Sequence, residues 1–171
     1  MSRDVVIVDG VRTPYAKAGT LLKDVPAQEL ARIVTTEILA RTGFDAAELD
    51  HVIFGNIAQP PDAVNLSRVA ALLAGVPFRV PAFTVNRLCG SGLQSIVDAF
   101  YRISAGDADA IVAGGVESMS NIPFLYSRES QEIFTEVFTA KDLGKRLAAA
   151  IRAGTLRATN TSPSASRPSL G

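Results

Sequence analysis

The residues of this chain best suited to chemistry are 86–92, Asn-Arg-Leu-Cys-Gly-Ser-Gly, which contain its only cysteine, Cys89. Residues 81–85 predict a short strand. Apolar residues then recur at three- and four-residue intervals from 91 to 104, as one buried face of a helix requires. Cys89 is therefore predicted at a strand-to-helix turn. Unpaired amides and the positive dipole end of a helix stabilise an anion there, so the position favours a nucleophilic thiolate.

A lone cysteine can instead be a small, inert, buried apolar residue, and the residue type alone does not separate the two interpretations. Gly90 and Gly92 favour the reactive one, because they leave room for an incoming carbonyl and permit a sharp turn. The following helix is predicted to bury one apolar stripe. Its members are Leu93, Ile96, Val97, Phe100 and Ile103.

Residues 86–96, Asn-Arg-Leu-Cys-Gly-Ser-Gly-Leu-Gln-Ser-Ile, resemble the nucleophile motif of the thiolase family, in which the cysteine carries the acyl group as a thioester. Two further family-like motifs are present. These are 114–123, Gly-Gly-Val-Glu-Ser-Met-Ser-Asn-Ile-Pro, and 11–14, Val-Arg-Thr-Pro, with Gly19. Residues 56–65 and 141–147 are closer to the ketoacyl-CoA thiolases of fatty-acid β-oxidation than to the short-chain acetoacetyl type. The resemblance implies an acyltransferase of the acetyl-CoA C-acyltransferase type.

The resemblance also implies a mechanism. Cys89 would attack the carbonyl of an acyl-CoA or ketoacyl-CoA, with its own backbone N–H helping to hold the oxyanion, and would pass the acyl group to coenzyme A or a second acyl-CoA. Coenzyme A thioesters are then substrates, and no separate cofactor is expected; no residue is assigned to cofactor binding. Glu117, which lies in the motif at 114–123, suits a structural hydrogen bond or a helix cap at least as well as a catalytic role.

The acid–base groups of the family, a histidine and a second cysteine, come from a C-terminal half that does not follow here. The only histidine, His51, matches no catalytic position of the family. We therefore expect this chain alone to be nearly inactive. In the family the second half also covers the helix after Cys89, so Leu93, Ile96, Val97 and Phe100 are expected to have one side exposed here. The alternative is a catalytically silent fragment that associates with itself or with an intact thiolase through that exposed face. A dinucleotide-binding module is disfavoured, because no Gly-rich phosphate loop follows the first predicted strand.

Apolar, β-branched runs predict four strands, at 5–8, 51–55, 81–85 and 110–116, in a largely parallel sheet. Helical patterns cover 27–41, 65–74, 91–104, 127–138 and 141–153, with a short helical turn begun by Asp45. The alternation predicts an α/β fold, and the resemblance implies a three-layer α/β/α sandwich that is one half of the duplicated thiolase fold. Ligands of such sheets lie beyond the carboxyl ends of the strands, where Cys89 falls. By the family's strand order, one central strand would be missing.

Three segments are predicted. Residues 1–122 form the N-terminal α/β domain, and 123–153 begin a helical loop domain that in thiolases covers coenzyme A. In its last helix the apolar stripe is predicted to face inward and consists of Leu143, Leu147 and Ile151. Residues 154–171 are rich in small and polar residues, lack acidic ones and are predicted to be a disordered tail outside the family pattern. We expect a chain cut short near Ala153.

Composition narrows the class further. Apolar residues make up 47% and charged residues 20%, and 17 basic side chains balance 17 acidic ones, so neither nucleic acid nor an anionic membrane is an expected partner. The longest apolar run, 69–76, is too short to span a bilayer. One cysteine cannot form an intramolecular disulfide, and no secretory signal is evident, which favours a cytoplasmic protein. His51 and Cys89 are too few for a metal site. The full-length family implies a homo-oligomer.

Overall fold

The computed structural model describes residues 3–123, 128–140 and 142–155. The chain divides into two compact units, one on each side of the junction between Pro123 and Phe124. The helices are α1 (Ala27–Thr42), α2 (Leu66–Leu73), α3 (Ser91–Ala105), α4 (Arg128–Thr139) and α5 (Leu143–Thr155), and the strands are β1 (His51–Gly55), β2 (Ala82–Val85) and β3 (Ile111–Gly115). A 3-10 turn at Ala46–Glu48 begins where the Asp45 carboxylate accepts a hydrogen bond from Ala47 N. No described helix is long and apolar enough to cross a membrane.

The first unit is built on a three-stranded parallel sheet in the order β2-β1-β3. β1 is the central strand, and its last residue, Gly55, pairs with Val85 of β2 and with Gly115 of β3. Three of the four predicted strands are therefore confirmed, each within a residue of its predicted bounds. The carboxyl ends of all three strands lie at one edge of the sheet, as parallel pairing requires.

The first predicted strand, Val5–Val8, is wrong: these residues form no strand. Val6, Ile7 and Val8 are 75 to 83% exposed. A β-branched run favours extended backbone, but it becomes a strand only where a neighbour offers a row of free amides and carbonyls. None of the three described strands pairs with it.

The two faces of β1 meet different helices, because successive side chains of a strand point to opposite sides. Val52 and Phe54 belong to a buried cluster with residues of α1 and α2. Gly55 lies on the other face, against the first turn of α3. The result is three layers, with α1 and α2 on one side of the sheet and α3 on the other. The predicted three-layer α/β/α architecture is confirmed for this unit.

The apolar stripe of α3 is partly exposed, as expected for this chain, but the face that α3 buries instead was not predicted. Its buried residues are small and polar or small and apolar, Ser91, Ser95 and Ala99, spaced four residues apart. The larger apolar side chains face solvent in this chain, with Leu93 at 68% and Phe100 at 49% exposure. The helix lies too close to the glycine-bearing strand ends for a large side chain to fit between them. An apolar face is thereby left uncovered on the described part of this layer.

The existence of α1 and α2 is as predicted, and so are their bounds to within a residue. Apolar spacing alone, however, does not identify all the residues that these two helices bury. On α1, Thr35 is buried and Ile33 is exposed. On α2, Leu66 and Ala70 are buried, while Leu73 is 54% exposed. Spacing identifies a helix reliably, but several faces of a helix rich in alanine are apolar enough to bury.

The second unit consists, in its described residues, of α4 and α5, which pack against each other. Ile133 of α4 and Ala149 of α5 are buried. The prediction that the leucine and isoleucine stripe of α5 faces inward is wrong, because all three of its members are more than 60% exposed, namely Leu143, Leu147 and Ile151. The disordered tail was predicted to begin at residue 154, but α5 continues to Thr155, so the prediction is wrong for these two residues. The remainder of the predicted tail, 156–171, lies outside the described residues.

Candidate active site

Cys89 lies in the turn that joins β2 to α3, four residues past the end of the strand and two before the helix begins, as predicted. Its side chain is exposed. The residue before it, Leu88, has a φ of 49°, which places it in the left-handed region that residues other than glycine seldom occupy. The turn therefore presents Cys89 to solvent at the edge of the sheet where ligands of parallel α/β folds bind.

Two backbone amides of this turn are already used within it. Gly90 N donates to Arg87 O at 3.1 Å, and Ser91 N donates to Leu88 O at 3.0 Å. Neither is available to an oxyanion without breaking the turn. The amide of Cys89 itself thus remains the candidate oxyanion donor on this segment, and its assignment is still a prediction.

Two glycines, Gly55 and Gly115, allow the start of α3 to lie directly against the sheet. A Cβ at Gly55 would overlap the carbonyl group of Ser91 and lie 2.5 Å from Gly92 N, and a Cβ at Gly115 would lie 2.8 Å from Gly92 Cα. These partners are backbone atoms that cannot swing away. The first turn of α3 is thus seated directly on the last residues of β1 and β3, and the Cys89 turn is carried with it.

A buried serine adds a polar tie one turn further along α3. Ser95 Oγ lies 2.6 Å from Gly114 O and 2.7 Å from Gly92 O, and its side chain is fully buried. The hydroxyl therefore satisfies a carbonyl of β3 as well as one of its own helix. This contact holds the helix on the sheet without touching the turn that contains Cys89.

Glu117 has a structural role in this chain. Its carboxylate accepts hydrogen bonds from Ile57 N at 2.9 Å and from the side-chain amide of Asn56 at 3.2 Å. Asn56 is itself buried, and its Nδ2 also donates to Val116 O at 3.0 Å. The carboxylate therefore secures the loop after β1 to the loop after β3, at the same edge of the sheet as Cys89.

The motif at 114–123 contacts Gly19 and the residues that follow it. Gly19 N donates to Ser120 Oγ at 2.9 Å, and Ser118 Oγ donates to Val25 O at 3.0 Å. The side-chain amide of Asn121 donates to Val25 O as well, at 3.1 Å. These contacts bind the segment before α1 to the segment after β3. The motifs therefore serve to hold two loops together in the described structure.

Sequence reasoning missed Gly55, Gly115 and Ser91 as determinants of this site. A signal for the two glycines was available, since both β1 and β3 end in glycine and paired strands place their ends side by side. Glycine in a strand commonly marks the close approach of another backbone. The contribution of Ser91 depends on the conformation of the turn, for which the sequence offers no direct indication.

His51 lies at the amino end of β1, opposite the edge that carries Cys89, so the structure does not bring the two together. Burial lowers its pKa, and the nearby Arg102 guanidinium lowers it further, against smaller opposing effects of Asp107 and Asp50. Its Nδ1 is buried without a hydrogen-bond partner. The described residues thus indicate a structural position for this histidine.

We expect His51 to make the chain less stable in mild acid. Its folded pKa is below the ordinary value of 6.5, so between the two values the unfolded chain binds more protons and the free energy of unfolding rises with pH. Stability should therefore fall as pH drops below about 6.5. Urea unfolding followed by circular dichroism, at several pH values across that range, measures the slope.

The matched variant is His51→Gln, which cannot titrate and should show a flatter profile over this window. The Asp50 carboxylate provides an internal reference. Hydrogen bonds from the amides of Asp109 and Ala110 hold its pKa below 3.8, so its contribution is lost only in stronger acid. Equal slopes for the parent chain and His51→Gln would contradict the prediction.

No group of three or more histidine, cysteine or acidic side chains that could hold a metal ion occurs among the described residues. An exposed thiol on a turn beyond the carboxyl end of β2 suits attack on an electrophile that enters from solvent.

Comparison with known proteins gives this arrangement a family. Residues 5–160 match the family model described as "Thiolase, N-terminal domain". The chain is 50% identical over 126 residues to "Beta-ketothiolase BktB" of Cupriavidus necator, which covers 73% of this chain, and 41% identical over 145 residues to "Trifunctional enzyme subunit beta, mitochondrial" of Homo sapiens, which covers 85%.

A solved structure, that of the Bacillus anthracis acetyl-CoA acetyltransferase, matches with a TM-score of 0.67 and 41% identity over 70% of this chain. The chain spans only 30 to 32% of the length of these three proteins. It matches their family in motif, sequence and fold over most of its own length. The chain therefore belongs to the thiolase family of acyltransferases and represents a part of its N-terminal domain.

Proposed function

We propose that this chain supplies the nucleophile part of a thiolase that transfers an acyl group between acyl-CoA or ketoacyl-CoA and coenzyme A through a thioester on Cys89. The observation that carries the proposal is the placement of Cys89. It is an exposed thiol on a turn beyond the carboxyl end of β2, in a chain of this family. No other cysteine is available in the 171 residues to carry the acyl group.

The proposed step is a thioester exchange. The Cys89 thiolate attacks the thioester carbonyl carbon and forms a new C–S bond, and the carbonyl electrons move onto oxygen. The oxyanion then collapses, the bond to the sulfur of coenzyme A breaks, and that thiolate takes a proton from solvent. The Cys89 N–H is the proposed donor to the oxyanion, and no cofactor beyond the coenzyme A thioester is needed.

Turnover requires more than this chain offers. Passing the acyl group on needs a base positioned on the attacking thiol or α-carbon, and such a base contributes a factor of roughly 10² to 10⁴ in rate. His51 lies at the opposite edge of the sheet, and Glu117 is engaged by the loop after β1. We therefore propose that the chain forms the acyl adduct but turns over poorly by itself.

The test is incubation of the purified chain with acetyl-CoA, followed by intact mass measurement and peptide mapping. We expect one acetyl group on Cys89, removable by neutral hydroxylamine, formed faster than on glutathione at the same thiol concentration. The Cys89→Ser variant is the matched control and should gain no hydroxylamine-labile group. Labelling on other side chains, or none above the glutathione rate, would contradict the proposed function.

A second candidate is a catalytically silent chain that associates with a second copy through α3. The observation in its favour is the uncovered apolar face formed by Leu93, Ile96 and Phe100. Contiguous exposed apolar surface commonly marks a site of association with another protein surface. The acetyl-CoA experiment separates the two candidates, because a silent chain would associate without becoming acetylated.

Finer assignments rest on sequence likeness. We propose that the full-length protein acts in fatty-acid β-oxidation, in the cytoplasm and as a homo-oligomer. The segment at residues 56–65 supports the first of these, as does likeness to a protein named as a subunit of a mitochondrial trifunctional enzyme. Other relatives are named acetyl-CoA acyltransferase or acetyl-CoA acetyltransferase, so the acyl chain length is left open. Measuring thiolysis rates of the full-length protein with ketoacyl-CoA substrates of several chain lengths would test the assignment to fatty-acid β-oxidation.

A further inference from the structure

We propose that Ser91 is the positioning residue for Cys89, an inference that rests on the proposed function for its catalytic meaning. Ser91 is the first residue of α3, and only 4% of it is exposed. Its hydroxyl points back into the turn. Ser91 Oγ accepts a hydrogen bond from Arg87 N at 2.8 Å and donates one to Leu88 O at 2.6 Å.

These two hydrogen bonds act on the chain just before the nucleophile. Leu88 holds a left-handed φ of 49°, a conformation that costs energy for a residue with a side chain. Its side chain is 70% exposed, so packing contributes little to offset that cost. Hydrogen bonds must therefore hold the conformation. Ser91 provides three of those around Leu88, through its own amide as well as both bonds of its hydroxyl.

Ser91 can act as an anchor because it is itself immobile. Its backbone carbonyl occupies the space where Gly55 has no side chain, and the following Gly92 lies against Gly115. Contact with the sheet thus fixes the Ser91 backbone, which in turn places the Ser91 hydroxyl. The hydrogen bond from this hydroxyl then holds Leu88 O. Both the direction of the Cys89 side chain and the direction of its N–H depend on the peptide unit held in this way.

An ordinary capping role does not account for this geometry. The N-cap residue of α3 is Gly90, which has no side chain with which to cap the helix. The Ser91 hydroxyl binds residues that precede the helix, so it stabilises the turn in preference to the orphan amides of the first helical turn. Its loss is therefore expected to affect Cys89 more than the helix.

The matched control is Ser95, which lies four residues later on the same helix. It is also buried and also hydrogen-bonded through its hydroxyl, but to Gly92 O and Gly114 O. Ser91→Ala and Ser95→Ala remove the same atom from the same buried face. Only the first removes contacts with the turn that contains Cys89.

The experiment compares both variants with the parent chain and with Ser91→Thr, which keeps a hydroxyl. Its first arm measures acetylation of Cys89 by acetyl-CoA and alkylation by iodoacetamide. Ser91→Ala should lower the acetylation rate roughly 10- to 100-fold, because a small misplacement of a nucleophile has costs of that order. Alkylation should change much less, since it needs no aligned oxyanion donor. Ser95→Ala should leave the ratio of the two rates unchanged, and Ser91→Thr should restore part of it.

The second arm does not depend on acyl transfer. NMR coupling constants and carbon shifts report the φ of Leu88, which should leave the left-handed region in Ser91→Ala and stay there in Ser95→Ala. An unchanged Leu88, or an equal loss of acetylation in the two alanine variants, would overturn the positioning role. Absence of acetylation in the parent chain would refute the proposed function instead, and the Leu88 measurement would still decide the role of Ser91.

Discussion

The Gly55→Ala variant should lose about 3 kcal/mol or more of its free energy of unfolding. The added methyl group would overlap the Ser91 carbonyl group and approach Gly92 N to 2.5 Å, and neither partner is a side chain that can rotate away. Overpacking a close contact costs about 1 to 3 kcal/mol when neighbours can adjust, and more when they cannot. Small domains have only roughly 5 to 15 kcal/mol in all, so the loss should be evident in urea unfolding.

Two other glycines provide graded controls for this measurement. A Cβ at Gly10 would meet nothing within 4 Å, so Gly10→Ala should be close to neutral. A Cβ at Gly92 would lie 3.5 Å from Gly115 Cα, an ordinary contact, and alanine favours a helix over glycine by about 1 kcal/mol. Gly92→Ala should therefore be neutral or slightly stabilising. If Gly55→Ala behaves like Gly10→Ala, then α3 is not seated on β1 in the way described.

The double variant Leu93→Lys with Phe100→Lys should weaken self-association of the chain by a factor of 100 or more, to the order of magnitude. Both side chains are on the uncovered face of α3. Burying a leucine or phenylalanine contributes about 1.5 to 3 kcal/mol, and each factor of ten in a dissociation constant corresponds to about 1.4 kcal/mol. Sedimentation equilibrium at several concentrations measures the change.

A control double variant makes the same two types of substitution on a surface outside α3. Leu21 and Phe78 are 79% and 82% exposed and lie outside α3, so Leu21→Lys with Phe78→Lys adds the same charge and removes similar apolar area. This pair should leave the association constant nearly unchanged. Equal effects of the two pairs would indicate a general effect of charge, and a parent chain that stays monomeric at all concentrations would remove the basis for the second candidate function.

The sequence predicted which segments form helices and strands better than it predicted which other segments they contact. The runs at 51–55, 82–85 and 111–115 became strands because each is β-branched or apolar and bounded by turn residues. The run at 5–8 has the same composition and did not, because strand formation needs an edge to pair with, and composition holds no information about which edges are free. Local pattern was sufficient where the tertiary partner was present in the chain.

For the site, the turn at Cys89 could be predicted from one cysteine between a strand pattern and a helix pattern. The contact of α3 with the ends of β1 and β3 could not be predicted in this way. Ser95 and Ala99 face the sheet because Gly55 and Gly115 bring the backbones together. Gly55 lies 36 positions before Ser91, and Gly115 lies 23 positions after Gly92, so local pattern does not reveal either contact. Apolar spacing on α3 indicated the opposite face, since Leu93 and Phe100 carry more apolar area than the small residues that are in fact buried.

The strand order also has a consequence for how the molecule is made. β1, the central strand, is the first of the three to leave the ribosome, and each later strand adds to an edge that is already present. Domains fold largely from the N-terminus during synthesis, and neighbouring pairings close smaller loops than distant ones do. Of the residues that contact the start of α3, Gly115, at the end of β3, is the last to be synthesised. Translation must therefore pass beyond this glycine before the backbone contacts around the Cys89 turn are complete.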